Sequence, residues 1–520
     1  MLDGEVASPL QKLWQPLRQP IVRACACGPR EVPKLFSAID NITRRSRRLA
    51  RRPSGPCTEG AVAPSGQMDV SIGGQLYQDL SSLWLFLAAV LVFFMQIGFA
   101  MLEAGSVRFQ SSKNILLKNT LNTCLGALVW WAVGHSFASG SCGKHTNPVL
   151  GLENFFLSNA GLSNTPNYWS LFFYGWVFAA TAATIPSGAL AERCQLRAYL
   201  VWTFWQVALI YPVVVHAVWS QAGWLSPFRV DCATGLPSVV LYKSIGVIDF
   251  AGSANVHMVG GAAALMGAIL IGPRKGRFNA EGYIIDFPAN NANLQVLGTL
   301  ILWMGWYGFN AGSTGCLYGC QQVASIIAVN TTLSAAAGGL TAFIMTTMLG
   351  FPGEISSVLY GILAGLVGIT SGCAVVQAYA AVIVGLISAL VWLASSRALK
   401  AFKIDDPLDA APVHFFCGIW GTLQVGFFAT ETSVSQAYPE TNGSPADWGV
   451  FYGGKGYQLG VQILAVVFVA SWALLMSGIV FYSLKRLGWL RVSEGQEEKG
   501  LDRLQEVGRG VNLLWHPNGF

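Results

Sequence analysis

Histidine is scarce in this chain, six in 520 residues, and two of the six occupy matching settings. Asp249, seven intervening residues and His257 open one apolar stretch; Asp406, seven intervening residues and His414 open another. Both runs end Val-His, at Val256-His257 and Val413-His414. An ionisable side chain inside a membrane span marks function by default. Burial and a neighbouring imidazole both disfavour charge, so the pair is expected to be neutral or to share one proton. A neutral ring offers one donor and one acceptor, which suits a small polar solute or a proton relay. The blander alternative is a hydrogen-bonded pair that glues two helices. A metal site is not expected, because no Cys or Glu accompanies both histidines at ligand spacing, and no cofactor is predicted. Asp249, Asp406 and Asp409 sit at predicted helix starts. A carboxylate there caps backbone N–H groups and complements the helix dipole. For Asp249, direct stabilisation of a nearby cation stays open as an alternative.

The elements that must hold such residues are membrane helices. Hydrophobic residues make up 53% of the chain and charged ones only 11%, with a mean hydropathy of +0.48. A soluble domain carries about a quarter charged residues, so a water-facing globule is not expected. The 58 glycines and 18 tryptophans suit close helix contact and the membrane–water interface. The net charge of +6 suggests no nucleic-acid groove; the expected surroundings are a lipid bilayer. Eleven scattered cysteines show no paired CxxC framework or zinc spacing. Cys142 and Cys232 both fall in loops predicted outside, where they either pair or stay free thiols. No nucleophile–base arrangement or metal motif appears in the loops, so an enzyme is not expected.

Residues 1–75 hold the basic run Arg44, Arg45, Arg47, Arg48, Arg51 and Arg52 and no apolar stretch long enough to span. They read as a disordered extension, with a targeting peptide and an ordinary terminal extension both open. A transmembrane domain is predicted over 76–485 and a cytoplasmic regulatory tail over 486–520. Crossing a bilayer takes roughly 20 apolar residues. Spans are predicted near 80–102, 115–138, 168–191, 198–220, 251–272, 294–313, 323–349, 354–373, 375–396, 410–429 and 458–483, the count open by one. Arg108, Lys113, Arg193, Arg197, Arg274, Lys275, Arg277, Arg397, Lys400, Lys403, Lys485, Arg486 and Arg491 then share one side, against Lys144, Arg229, Lys243 and Lys455 on the other. The positive-inside rule puts the N-terminus outside and the C-terminus in the cytoplasm. The sequon at Asn442 falls in an outer loop, one at Asn41 in the tail, and Asn330 lies within a span.

Two pairs of segments repeat. Gly98-Phe-Ala-Met-Leu-Glu-Ala-Gly-Ser106 ends the first span and Gly305-Trp-Tyr-Gly-Phe-Asn-Ala-Gly-Ser313 the sixth; the two Asp…Val-His runs open the fifth and tenth. Five spans per repeat is odd, so the halves must be inverted, which places a site near the midplane between them. The expected architecture is an all-α integral membrane protein of two inverted five-helix repeats plus a final helix.

Ser187-Gly-Ala-Leu-Ala-Glu-Arg193, Asp249-Phe-Ala-Gly252 with Val256-His257, the Gly305–Ser313 segment, and Asp405-Asp-Pro407 with Val413-His414 together resemble the ammonium transporter/methylammonium permease/Rhesus family. The resemblance runs from about residue 80 to 485. It implies eleven spans and a homotrimer with a pore in each subunit. It implies an outer recruitment site at Phe178, Trp219 and Ser313, a gate of stacked Phe178 and Phe309, a pore lined by His257 and His414, and further lining at Trp306 and Thr370. The implied mechanism is that ammonium binds outside and deprotonates, ammonia passes the histidines, and the proton follows separately, making uptake electrogenic. Aromatic faces attract a cation, and shedding the proton removes the cost of a bare charge in an apolar constriction. Methylammonium is a further expected substrate. Trp219 and Ser313 resemble the ammonium transporter branch, plant and algal type-1 members especially, since Rhesus proteins usually lack that pair. The chain departs from the pattern at Gly175, where plant-like members tend to carry Gln. Gly500-Leu501-Asp502 and Gly508 resemble the family's tail motif without its His. The regulatory Thr of plant members is absent. Alternative readings are a membrane ammonium sensor with little transport and a Rhesus-type neutral gas channel. The plasma membrane is the expected location, with the chloroplast envelope as the alternative.

Overall fold

A computed structural model describes residues 72–139, 147–158, 167–231, 234, 238, 241, 245–351, 353–438 and 447–502. The chain divides into two units, Met1–Asp69 and Val70–Phe520, and the described residues all lie in the second. Cys142, Cys232, the sequons at Asn41 and Asn442, and Gly508 lie outside the described residues.

Among the described residues there is no β-strand, only isolated bridges. The helices are α1 Ile72–Ser106, α2 Ser112–Val129, α3 Tyr168–Thr184, α4 Leu196–Trp219, α5 Ser253–Ile271, α6 Ala292–Trp306, α7 Gln321–Met348, α8 Ile355–Ile369, α9 Ala378–Ala401, α10 Cys417–Phe428, α11 Tyr457–Arg486 and the short α12 Glu494–Lys499. Six of them (α1, α4, α5, α7, α9 and α11) are long and apolar enough to cross a membrane. In hydrocarbon only intrahelical bonding satisfies the backbone, which is why such sequences settle as helices. Large apolar side chains such as Leu128, Leu340, Ile344, Leu475 and Ile479 stand exposed on the outer faces, as lipid contact requires.

Small residues set the interhelical spacing. A Cβ on Gly338 of α7 would lie 2.3 Å from the Gly361 carbonyl of α8, and one on Gly385 of α9 would lie 2.1 Å from the Ser334 carbonyl of α7. Buried polar groups are tied across helices: Asn330 Nδ2 donates to the carbonyls of Cys373 and Val376, both at 2.9 Å.

The face that carries the chain's last described residues holds a charged hub. Arg274 donates twice to Asp405 (Nε to Oδ2, 2.8 Å; Nη2 to Oδ1, 3.0 Å) and also pairs with Glu192. Arg193 Nη2 donates to the Asp405 carbonyl at 2.6 Å. Burial alone would raise the Asp405 carboxyl, but the Arg274 and Arg193 guanidiniums more than reverse it and hold it well below the usual carboxylate range. The Arg274 guanidinium also lies over the Phe287 ring, 4.9 Å from its centroid.

The tail docks on this face. Ser493 and Gln496 form a capping box at the start of α12, and Glu497 accepts from Lys275 N (2.7 Å) and Arg491 Nη2 (2.8 Å). Asp502 then caps α2, accepting from the backbone of Lys113 (3.0 Å) and Asn114 (2.7 Å). Gly500, at φ +86°, lies so close to Gln110 that a Cβ would meet its side chain at 2.3 Å. An N-cap is worth about 1 kcal/mol, or roughly fivefold in an opening equilibrium. Asp502→Ala is therefore expected to speed tryptic cleavage after Lys499 about fivefold; an unchanged rate would mean the cap does not hold the tail.

Candidate functional site

The centre of the bundle is built where helices widen. His257 lies in a π-helical turn, Ser253–Met258, at the start of α5, and His414 lies in another, Ala411–Phe416, that leads into α10. Phe309 lies in a third, Tyr307–Ala311, that continues α6. Such wide turns recur at functional sites because they re-aim side chains out of the regular helical register.

The two histidine turns are capped alike. Asp249 Oδ2 accepts from Ala254 N (3.1 Å) and Asn255 N (2.8 Å), its Oδ1 from Gly252 N (3.1 Å), and Ser371 Oγ also donates to Oδ1. Asp406 Oδ2 accepts from Ala411 N at 2.7 Å, the same offset of five residues as Asp249 to Ala254. Four residues beyond each histidine stands a glycine. A Cβ on Gly261 would lie 2.2 Å from Phe415 N, and one on Gly418 would lie 2.8 Å from the Ser253 carbonyl. Each helix therefore crosses against the other's histidine turn, which closes the rings on one another.

The Nδ1 atoms of His257 and His414 lie 3.2 Å apart, so one ring donates and the other accepts, and the rings stack with centroids 5.2 Å apart. His257 Nε2 is buried and has no hydrogen-bond partner among the described residues. Above His257, Phe309 stacks at 5.5 Å, and Phe178 of α3 stacks on Phe309 at 3.9 Å and 9°. Trp219, the last residue of α4, meets Phe178 edge-on at 6.1 Å. Below, Phe99 of α1 lies 6.2 Å from His414. These rings make one column, Trp219–Phe178–Phe309–His257–His414–Phe99.

The other expected residues flank it. Trp306 stacks on His257 at 5.3 Å, and its Nε1 donates to Thr370 Oγ1 at 3.0 Å. Trp219 Nε1 donates to the Asp249 carbonyl at 2.7 Å. Ser313 is half-buried near the Trp219 end; its hydroxyl donates to the Phe309 carbonyl (2.8 Å) and lies 3.1 Å from the Tyr174 hydroxyl. Asp406 and Asp409 stand off the column. Asp409 Oδ2 accepts from Trp392 Nε1 (3.1 Å) and Ser396 Oγ (2.8 Å), tying the His414 segment to α9. The Asp249 carboxylate is occupied by three backbone N–H groups and a hydroxyl, the capping arrangement rather than a cradle open to a cation.

The sequence of this chain resembles one family from end to end of the bundle. The sequence profile described as the Ammonium Transporter Family matches residues 83–508. The chain belongs to the ammonium transporter family. "Ammonium transporter 1 member 3" of Solanum lycopersicum is 40% identical over 447 residues, covering 84% of this chain and 94% of that protein. "Ammonium transporter 1 member 1" of Arabidopsis thaliana is 40% identical over 422 residues, covering 78% and 80%. Among solved structures, one titled "Sensor Amt Protein" superposes with a TM-score of 0.73 at 34% identity, over 83% of this chain and 99% of that one. The family and the two plant relatives are described as ammonium transporters.

Within this family member, two features escaped the sequence reading, and a third gives a reason for a departure already noted. Cys316 and Cys320 form a disulfide just after Ser313; their four-residue separation was the available signal. Tyr174 reaches the carbonyls of Gly308 (3.1 Å) and Phe309 (2.9 Å), and so braces the wide turn that carries the Phe309 ring. At Gly175, a Cβ would lie 2.8 Å from the Trp130 ring. The space beside that residue is filled by an indole, which gives a steric reason for glycine there.

Proposed function

We propose that this chain is a high-selectivity ammonium transporter that conducts through the ring column. Ammonium binds outside at Phe178, Trp219 and Ser313, loses its proton there, and passes as ammonia between Phe178 and Phe309 and along His257 and His414, with Trp306 and Thr370 lining the way. The proton moves separately, so uptake carries charge; methylammonium is a second substrate. The observation that carries this reading is the unbroken contact of the gate rings with the paired imidazoles. A bare cation in such a lumen costs many kcal/mol, whereas a neutral amine-like solute finds the donor and acceptor of two neutral imidazoles.

In this reading the chain crosses the bilayer eleven times, as two inverted five-helix repeats and a final helix. The matched cap, histidine and crossing glycine of the α5 and α10 segments support it. The N-terminus lies outside and the C-terminus in the cytoplasm, the assembly is a homotrimer, and the location is the plasma membrane, with the chloroplast envelope as the alternative. Similarity to proteins named transporters favours conduction over a sensor that binds without transporting.

The test is ammonium-evoked current in oocytes that express the full chain. A saturable inward current with little potassium current is expected. Surface-expressed protein that carries no current would leave the sensor or the neutral gas channel.

A further inference from the structure

Directly beyond His414 the column opens into a cavity of about 20 Å³, lined by Phe99, Glu103, Ile185, Tyr360, Leu408 and His414, among others. That is room for one small solute. Besides the His414 imidazole and the Tyr360 phenol, its lining side chains are apolar, and Glu103 is the carboxyl among them. The Glu103 side chain is 2% exposed. One oxygen accepts from Asn119 Nδ2 of α2 at 2.9 Å, and the other from Ser187 Oγ. Each carboxylate oxygen keeps a second lone pair, so these two bonds leave acceptor capacity toward the cavity. The lysine next to Asn119 does not spend its charge on the carboxyl alone, since Lys118 Nζ donates to the Cys194 carbonyl at 2.9 Å.

We infer that this cavity is an inner ammonium site and that Glu103 is its proton donor and counter-charge. The inference rests on the conduction reading above. Ammonia leaving His414 takes the proton of the Glu103 carboxyl: a new N–H bond forms as the O–H bond breaks, giving ammonium beside a carboxylate. The carboxylate is reprotonated by the proton that ammonium lost at the outer site, so atoms and charge balance across one cycle. Ammonium re-formed in an apolar pocket needs an opposite charge at contact distance, and Glu103 supplies it where the column ends.

Glu103 also ties α1 to α2 and to the segment that carries Ser187, so the test must separate that role. Glu103→Gln keeps both ties, because the amide oxygen accepts from Asn119 and the amide nitrogen donates to Ser187, but it carries no exchangeable acid. Expected for Glu103→Gln in the full chain is at least a tenfold lower maximal ammonium current per surface protein. The half-saturating concentration, set outside, should stay within about twofold, and thermal stability should be close to wild type. Glu103→Asp should recover part of the current. Should Glu103→Gln fail to reach the surface, Asn119→Ala/Ser187→Ala, which removes both ties and keeps the carboxyl, must conduct near the wild-type level. Wild-type current in Glu103→Gln, or a lost current in Asn119→Ala/Ser187→Ala, would overturn the inference. Absence of current in the wild-type chain itself would sink the conduction reading instead.

Discussion

In His257→Ala/His414→Ala protein, the ratio of ammonium to potassium current at equal concentration is expected to fall at least tenfold. The rings form a stack with centroid spacings of 3.9, 5.5 and 5.2 Å, and the two imidazoles supply hydrogen-bonding groups among phenyl and indole rings along the proposed path. Removing both rings widens that stretch and deletes the donor and acceptor that favour a protonatable nitrogen solute. A barrier change of 1.4 kcal/mol already corresponds to tenfold in rate, and desolvating a cation in an apolar constriction costs several times that. The ratio collapses whether ammonium current disappears or potassium gains passage. The measurement is two-electrode current with ammonium and potassium exchanged at fixed voltage. An unchanged ratio would relegate the pair to helix packing.

Asp249→Ala is expected to produce the largest loss of stability of any single substitution at the site. Its carboxylate satisfies the N–H groups of Gly252, Ala254 and Asn255 and the hydroxyl of Ser371, all buried. Each buried donor left unsatisfied costs roughly 1–3 kcal/mol, so the sum is several kcal/mol. The wide turn that aims His257 is the part released. Thermal unfolding in detergent, followed by tryptophan fluorescence, should show a midpoint lower by many degrees, with ammonium transport lost alongside it. Asp249→Asn should be milder, because its carbonyl still accepts from Ala254 and Asn255 and its amide can donate to Ser371 Oγ, leaving the Gly252 N–H as the one bond lost. Equal damage from the two substitutions would mean that the bonds to Ala254 and Asn255 are not what holds the turn.

The helices and much of the site were legible because membrane burial writes itself in composition. Apolar runs of sufficient length force helices, and a His within such a run stands out. Asp249 and Asp406 were readable as caps from their places at helix starts. The wide turns were not readable: periodicity over one turn cannot distinguish five-residue from four-residue bonding, yet it is this that aims Phe309, His257 and His414 into one line. The role of Gly261 and Gly418, four residues after each histidine, was not readable either, because it depends on which backbone crosses them. The place of Glu103 was hidden for the same reason. Its segment was noticed for resembling Gly305–Ser313, and only the packing of α1 beside the His414 turn gives its carboxyl a cavity to face.

The three wide turns of the site bear on what kinds of mutation this protein can absorb. An α-helix advances about 100° per residue, and each wide turn holds one residue more than the regular ladder would. A one-codon deletion within Ser253–Met258 or Ala411–Phe416 would let the helix relax to regular winding at little cost in backbone bonding. It would also swing the imidazole about a quarter-turn out of line with its partner. Neighbouring apolar substitutions, by contrast, leave the phase intact. The ring column is thus encoded less in which hydrophobic residues surround it than in how many residues lie between each aspartate and its histidine, so length there should be far more constrained than composition.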